Sequence, residues 1–206
     1  MGLLDRIFGS KKDVVPAKSV PHNENCRKLM EFASRVEKLL KENRYLAKSD
    51  YKKHLEEYQK TMDFFGVLLE SGMLPNFCDV NGVSEKDVMQ AIDYYNRIES
   101  YVEAHNETYL TRAMAEEKEY LDNVLKTVDP VVVLDEDQRK VVLTDEDYCL
   151  VIAGAGAGKT TTVAAKVKYL VDRKGIDPSQ ILVVSFTNKA VNELKEKIQE
   201  DLKVPC

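Results

Sequence analysis

The residues with the clearest chemical potential form one continuous stretch, Ala153-Gly154-Ala155-Gly156-Ala157-Gly158-Lys159-Thr160. Alternating glycines let the backbone curl so that successive N–H groups point at one anion. A helix that begins there adds the positive end of its dipole. Lys159 would reach the β- and γ-phosphates of a nucleotide as a point charge, and the Thr160 hydroxyl would ligate Mg²⁺. The whole stretch therefore predicts a nucleotide-binding P-loop, with Lys159 and Thr160 as its catalytic residues.

The stretch departs from the general P-loop pattern, G-x-x-x-x-G-K-[ST], at its first position, which is Ala153. Alanine tolerates most turn geometries other than positive φ, so the departure does not exclude phosphate binding. The alternative interpretation is a glycine-rich turn that binds nothing. Glycines in alternation, followed by Lys-Thr and a helical pattern, favour the P-loop.

The elements that must hold this loop are an apolar run before it and a helical pattern after it. Residues 148–152 predict a strand, and the pattern over residues 161–171 predicts a helix. A second apolar run, residues 181–186, is typical of a strand buried in a parallel sheet, and a helix is predicted over residues 190–202. This order of strand, helix, strand and helix predicts the start of a doubly wound parallel sheet.

A third apolar run, residues 131–134, ends in Asp135-Glu136-Asp137. It resembles a Walker B strand, whose carboxylates hold Mg²⁺ and activate water. This run precedes the predicted P-loop, whereas a Walker B strand follows the P-loop in most P-loop folds. We therefore expect Asp135 to be the N-cap of a helix that begins at Glu136.

The chain before Pro130 is dominated by helical periodicity. Residues 1–25 are predicted to be an N-terminal tail and a linker, since residues 13–25 contain Pro16 and Pro21 with little periodicity. Over residues 26–130, apolar side chains recur at three- and four-residue steps and predict three to four amphipathic helices in a hairpin or bundle. Heptad spacing within this region leaves an intermolecular coiled coil, and thus a protein partner, as an open alternative.

Signals that end or begin helices subdivide the helical region. Ser71-Gly72 predicts a helix end, and Pro75-Asn76 predicts a loop. Ser84 is the predicted N-cap of a helix over residues 85–104.

Composition excludes several classes of protein. The net charge of −5 argues against a generally basic nucleic-acid-binding protein, so any such contact must be local. The four cysteines are scattered without metal-ligand spacing, which indicates reduced thiols and a cytoplasmic location. No apolar run approaches the length of a membrane span, so we expect no stable membrane insertion.

Three segments resemble the N-terminal end of superfamily 1 DNA helicases of the UvrD/Rep type. Residues 134–142 resemble the Q motif of that family, L-[ND]-x-x-Q-x-x-[AV]-V, with Gln138 as its glutamine. Residues 150–160 resemble motif I, in which alanine at position 153 is usual, and residues 181–194 resemble motif Ia. The motifs occur in the order and at the spacing of the family. The long helical extension before them is similar to that of the helicase IV subgroup.

The resemblance implies a fold and further site residues. The implied class is α/β, with residues 131–206 as an incomplete RecA-like P-loop parallel sheet after the all-α region. Gln138 would hydrogen-bond adenine, since a side-chain amide donates and accepts at once. Phe186, Thr187 and Asn188 fall where the family contacts single-stranded DNA, with the aromatic ring stacked on a base. The alternative for Phe186 is a core aromatic at a strand end. Thr161 stands where many members carry arginine, and no nucleotide contact is assigned to it.

The implied function is the ATP-binding N-terminal part of an ATP-dependent 3′-to-5′ DNA helicase or translocase, with ATP and Mg²⁺ as cofactors. ATP in this family sits between two lobes. The sequence lacks a Walker B pair after the motifs, an arginine finger and a second lobe, so we expect a truncated portion that does not hydrolyse ATP alone. One alternative is a helical interaction protein with a vestigial P-loop half-lobe. Another is an unrelated P-loop ATPase, which Gln138 and residues 185–190 disfavour.

Overall fold

The computed structural model describes residues 23–204 apart from Thr127 and Asp129. Helices account for all the regular structure of this part: α1 Glu24–Leu39, α2 Lys48–Glu70, α3 Leu74–Asn81, α4 Glu85–Glu116, α5 Lys118–Asn123, α6 Glu136–Leu143, α7 Lys159–Asp172 and α8 Asn188–Lys195. A 3₁₀ turn, Pro178–Gln180, precedes α8, and a π-helical turn, Glu196–Asp201, follows it. The tail and linker are predicted over residues 1–25, and residues 1–22 of this segment lie outside the described residues.

The prediction of a parallel sheet is wrong for the described residues, which contain no β-strand. Residues 149–154 and 181–185 have no regular secondary structure, and Leu150 and Leu182 are 87% and 86% exposed. The physical reason is that an apolar run becomes a strand only when a neighbouring strand completes its hydrogen bonds. Parallel pairs are weak per residue, and sheets need three or more strands to be stable on their own. The described part of the chain is therefore all-α.

One compact unit consists of the described residues up to Ser34 together with Tyr58–Tyr95. Its core is aromatic. The Phe32 ring lies 5.4 Å from that of Tyr58, and the Phe65 ring lies 5.8 Å from that of Phe77. The loop predicted at Pro75-Asn76 is wrong, because both residues belong to α3. Proline is compatible with the first turn of a helix, where no amide hydrogen is required.

The second compact unit consists of Arg35–Glu57 together with the described residues from Asn96 onward. Its main core cluster combines apolar side chains from the end of α4 and from α5 with others from α6, α7 and the π-helical turn, among them Ala113, Leu121, Val142, Ala164 and Ile198. Residues on both sides of Pro130 thus share this cluster.

The helix predicted over residues 85–104 extends further, because α4 continues to Glu116 with non-helical angles at Arg97. The predicted cap at Ser84 is confirmed, since its Oγ accepts a hydrogen bond from the N–H of Asp87 at 3.3 Å.

Among the described residues, no helix is both long enough and apolar enough to cross a bilayer.

Candidate functional site: the P-loop and its neighbours

The glycine-rich stretch leads directly into α7, as a phosphate-binding loop requires. Gly156 and Gly158 both have φ of +75°, in the left-handed region that glycine adopts without strain. Helices α6 and α8 begin with side-chain caps, from Asp135 and Thr187, whereas the N-cap residue of α7, Gly158, has no side chain that could cap it. The amides of its first turn are therefore left for another acceptor.

Lys159 folds back over the start of the loop. Its Nζ donates to the carbonyl oxygens of Gly154 at 2.6 Å and Ala153 at 3.2 Å. Within the described part of the chain Lys159 makes no ion pair, so its charge is not neutralised by a carboxylate. Thr160 follows in the first turn of α7, half-buried.

Gln138 joins the start of α6 to the loop. Its side-chain oxygen accepts from the N–H of Asp135 at 3.0 Å, and its own N–H donates to Asp135 at 2.9 Å, which completes a capping box. Asp135 is thus an N-cap, as the sequence predicts. Nε2 of Gln138 donates to the carbonyl of Ala157 at 3.1 Å. A methyl group on Gly158 would lie 2.7 Å from that nitrogen, so the glycine leaves the space that Gln138 fills.

Two basic side chains hold α6 against its neighbours. Lys166 of α7 donates to the carbonyl oxygens of Val142, at 2.8 Å, and Thr144. Burial lowers the pKa of Lys166, because a low-dielectric environment disfavours the ammonium form. Arg139 donates to the carbonyl of Leu134 at 2.8 Å and pairs with Asp122 at 2.6 Å. The position of Gln138 beside the loop therefore depends on contacts made all along α6.

The residues predicted to contact DNA lie at the start of α8. Phe186 is fully exposed, so the alternative of a core aromatic is not what the structure shows. The Thr187 hydroxyl oxygen accepts from the N–H of Ala190 at 3.2 Å and caps α8. Asn188 is the exposed first residue of that helix. Among the described hydrogen bonds, none joins these three residues to the P-loop.

No pattern in the sequence predicts one further contact near the loop. The Nζ of Lys197, in the π-helical turn, donates to the hydroxyl of Thr161 at 3.2 Å across a separation of 36 residues. It brings a cation to the first turn of α7.

No cluster of histidine, cysteine or carboxylate side chains that could hold a metal ion is found in the described part of the chain.

The similarity of this chain to known proteins lies in the segment that contains Gln138, the glycine-rich loop and α8. Residues 134–206 match the UvrD/REP helicase N-terminal domain. The chain is 46% identical over 65 residues to the probable DNA helicase II homolog of Mycoplasma capricolum, which is 32% of this chain and 9% of the relative. It is 40% identical over 67 residues to the ATP-dependent DNA helicase PcrA of Staphylococcus aureus, with the same coverage. It is 45% identical over 69 residues to the putative ATP-dependent DNA helicase YjcD of Bacillus subtilis, 34% of this chain and 9% of that protein.

The chain thus spans 9% of the length of each of these curated relatives. No solved structure matches it. The family match confirms the resemblance stated from the three motifs: residues 134–206 are similar to the N-terminal portion of a UvrD-like helicase.

Proposed function

We propose that this UvrD-like N-terminal portion binds ATP with Mg²⁺ and acts as the ATP-binding part of an ATP-dependent DNA helicase or translocase. The observation that carries the proposal is the uncapped start of α7, which follows two glycines with positive φ and presents Lys159 in its first turn. Amides and a lysine arranged in this way suit a polyphosphate, since the helix dipole and the ammonium group both favour negative charge.

The residues present fit the nucleotide. The amides of residues 154–160 and Lys159 would hold the phosphates, and the Thr160 hydroxyl would ligate Mg²⁺. When bound, Mg²⁺ would bridge the phosphates and neutralise part of their charge. The contacts of Lys159 with Ala153 and Gly154 are to neutral carbonyl oxygens, which a phosphate can replace at a smaller electrostatic cost than a carboxylate partner.

Gln138 retains capacity for an adenine. A side-chain amide has two N–H donors and two acceptor lone pairs. In the structure one donor serves Ala157 and one acceptor serves Asp135. One N–H donor and one acceptor lone pair of the Gln138 amide remain unused. An adenine edge that carries both a donor and an acceptor needs this combination. Adenine recognition by Gln138 would therefore leave its contacts with Ala157 and Asp135 intact.

Single-stranded DNA is the proposed second ligand, at residues 186–188. An exposed phenylalanine can stack on any base, because every base has a π-face. The Thr187 hydroxyl still has its own hydrogen to donate, since its oxygen is the acceptor in the α8 cap. We assign binding of ATP and DNA to these residues, and we assign neither hydrolysis nor translocation to them.

We also propose a reducing cytoplasmic location, which suits the free thiols of Cys26, Cys78 and Cys149.

The proposed function is tested by measuring ATP affinity with excess Mg²⁺ by titration calorimetry. Lys159→Ala should weaken binding by about 10- to 100-fold, which corresponds to the loss of charge-assisted hydrogen bonds. Lys168→Ala is the matched control, because Lys168 lies further along α7 and pairs with Asp172 at 3.1 Å. Equal ATP affinity in the parent and in Lys159→Ala would contradict the assignment of the nucleotide site.

A further inference from the structure

The start of α2 is bound by two carboxylates that are distant in sequence. The N–H of Lys48 donates to Glu146 at 2.9 Å, and the N–H of Ser49 donates to Asp147 at 2.7 Å. The Ser49 hydroxyl adds a second hydrogen bond to Asp147 at 2.9 Å. These partners are 98 residues apart and belong to the second compact unit. Glu146 and Asp147 therefore cap the first turn of α2 from outside the helix, where its dipole favours negative charge.

The two residues just before α2 are also held in place. Both the N–H and the carbonyl of Leu46 are hydrogen-bonded to the buried side chain of Asn106, at 2.8 and 2.9 Å. The N–H of Ala47 donates to Asp50 at 2.8 Å. The beginning of α2 is thus attached to α4, and it offers Glu146 and Asp147 a rigid set of donors.

The segment that follows Asp147 has little other support. Residues 148–152 lead directly into the P-loop, and Tyr148 and Ile152 are 95% and 90% exposed. These residues make no backbone–backbone hydrogen bond to another described residue. At the far end, Lys159 contacts the carbonyl oxygens of Ala153 and Gly154. The place of those carbonyls therefore depends on where residues 148–152 are anchored.

We propose that Glu146 and Asp147 are positioning residues, through which the first turn of α2 holds residues 148–152 and sets the pose of the P-loop. The effect of Glu146 and Asp147 on nucleotide binding rests on the proposed function, whereas their anchoring of residues 148–152 does not. The predicted helical region thereby takes part in shaping the phosphate site.

The anchoring is tested without nucleotide by a nitroxide label on Cys149, which is exposed while Cys26 and Cys78 are buried. Cys206 is replaced by serine to keep the label unique. Asp147→Asn should increase the rotational mobility of the label in its electron paramagnetic resonance spectrum, and Ser49→Ala should give a smaller increase. Glu103→Gln, which removes the same charge from an exposed position on α4, should leave the spectrum unchanged. Identical spectra for the parent and Asp147→Asn would overturn the proposal.

Positioning of the P-loop is tested by ATP affinity with excess Mg²⁺ in the same variants, at a temperature where circular dichroism shows each to be folded. Asp147→Asn should weaken ATP binding by about fivefold, the equivalent of one net hydrogen bond. A mobile label with unchanged ATP affinity, while Lys159→Ala still weakens binding, would reduce Asp147 to a structural role and overturn the positioning. If Lys159→Ala has no effect on ATP, the proposed function fails, and the label alone decides the anchoring. Ser49→Ala keeps the test available if Asp147→Asn does not fold.

Discussion

At Gly158 a single added methyl group should cause both backbone strain and a clash with the Gln138 side chain. A control substitution at a glycine without that neighbour can separate the two costs. Gly158→Ala places a β-carbon on a residue with φ of +75° and 2.7 Å from Nε2 of Gln138. A non-glycine residue in the left-handed region costs about 1–2 kcal/mol. The Gln138 amide must also move and give up its bond to Ala157, at about 1 kcal/mol. We expect the free energy of unfolding to fall by about 2–3 kcal/mol in total.

Gly156→Ala is the matched control, because Gly156 has the same φ of +75° but nothing within 4 Å of the added carbon. It should cost only the strain, about 1–2 kcal/mol. The excess cost of Gly158→Ala should disappear when Gln138 is also changed to alanine, since the clash and the hydrogen bond are then both absent. Urea denaturation followed by circular dichroism measures Gly158→Ala, Gly156→Ala, Gln138→Ala, the double variant and the parent. Equal costs for the two glycine substitutions, or an excess that persists without Gln138, would refute the packing of Gln138 on the loop.

Three other substitutions have defined outcomes. Asn106→Ala should lower the free energy of unfolding in urea by about 2–4 kcal/mol, because it leaves both backbone groups of Leu46 buried without partners. Phe186→Ala should leave stability within about 0.5 kcal/mol, since the ring is exposed, while it weakens single-stranded DNA binding in a fluorescence titration by about fivefold or more. Lys166→Met should remove a pH dependence: the folded-state pKa of Lys166 is lowered, so the parent should gain stability as pH rises from the folded-state pKa toward 10.5.

Each of these has its own control. Asn188→Ala changes an exposed amide and should leave stability near that of the parent, in contrast to Asn106→Ala. Val184→Ala removes an exposed apolar side chain two residues before Phe186, and should not alter DNA affinity if stacking carries it. Lys168 is a lysine of the same helix that is paired on the surface, so Lys168→Met should retain the pH dependence of the parent. Parallel stability curves for the parent and Lys166→Met up to pH 10.5 would show that folding does not lower the pKa of Lys166.

Local signals in the sequence predict local structure well. Ser84 and Asp135 cap α4 and α6 as expected, because a cap is made between residues three apart in the chain. The glycine-rich stretch begins a helix at Lys159 for the same reason, since backbone angles at Gly156 and Gly158 are decided within the loop. The match of residues 134–206 to a UvrD-like helicase N-terminal portion also follows from short motifs in a fixed order.

The strands were mispredicted because a strand is not a local structure. Residues 148–152 and 181–186 have the composition of buried parallel strands, yet among the described residues neither run is paired with a neighbouring strand. Backbone groups in an extended segment need partners from elsewhere in the chain, whereas a helix satisfies its own. Apolar content therefore predicts where a strand can form, and only the presence of neighbouring strands decides whether it does.

The sequence by itself determined the caps of α4 and α6 and the glycine-rich turn that leads into α7, since these depend on neighbours within one or two turns. Only the tertiary structure decided that Gln138 fills the space beside Gly158, that Lys197 reaches Thr161, and that the start of α2 is capped by Glu146 and Asp147. Those contacts join residues far apart in the chain. Their geometry follows from how the helices of the second unit pack around one apolar core, which no spacing of residues records.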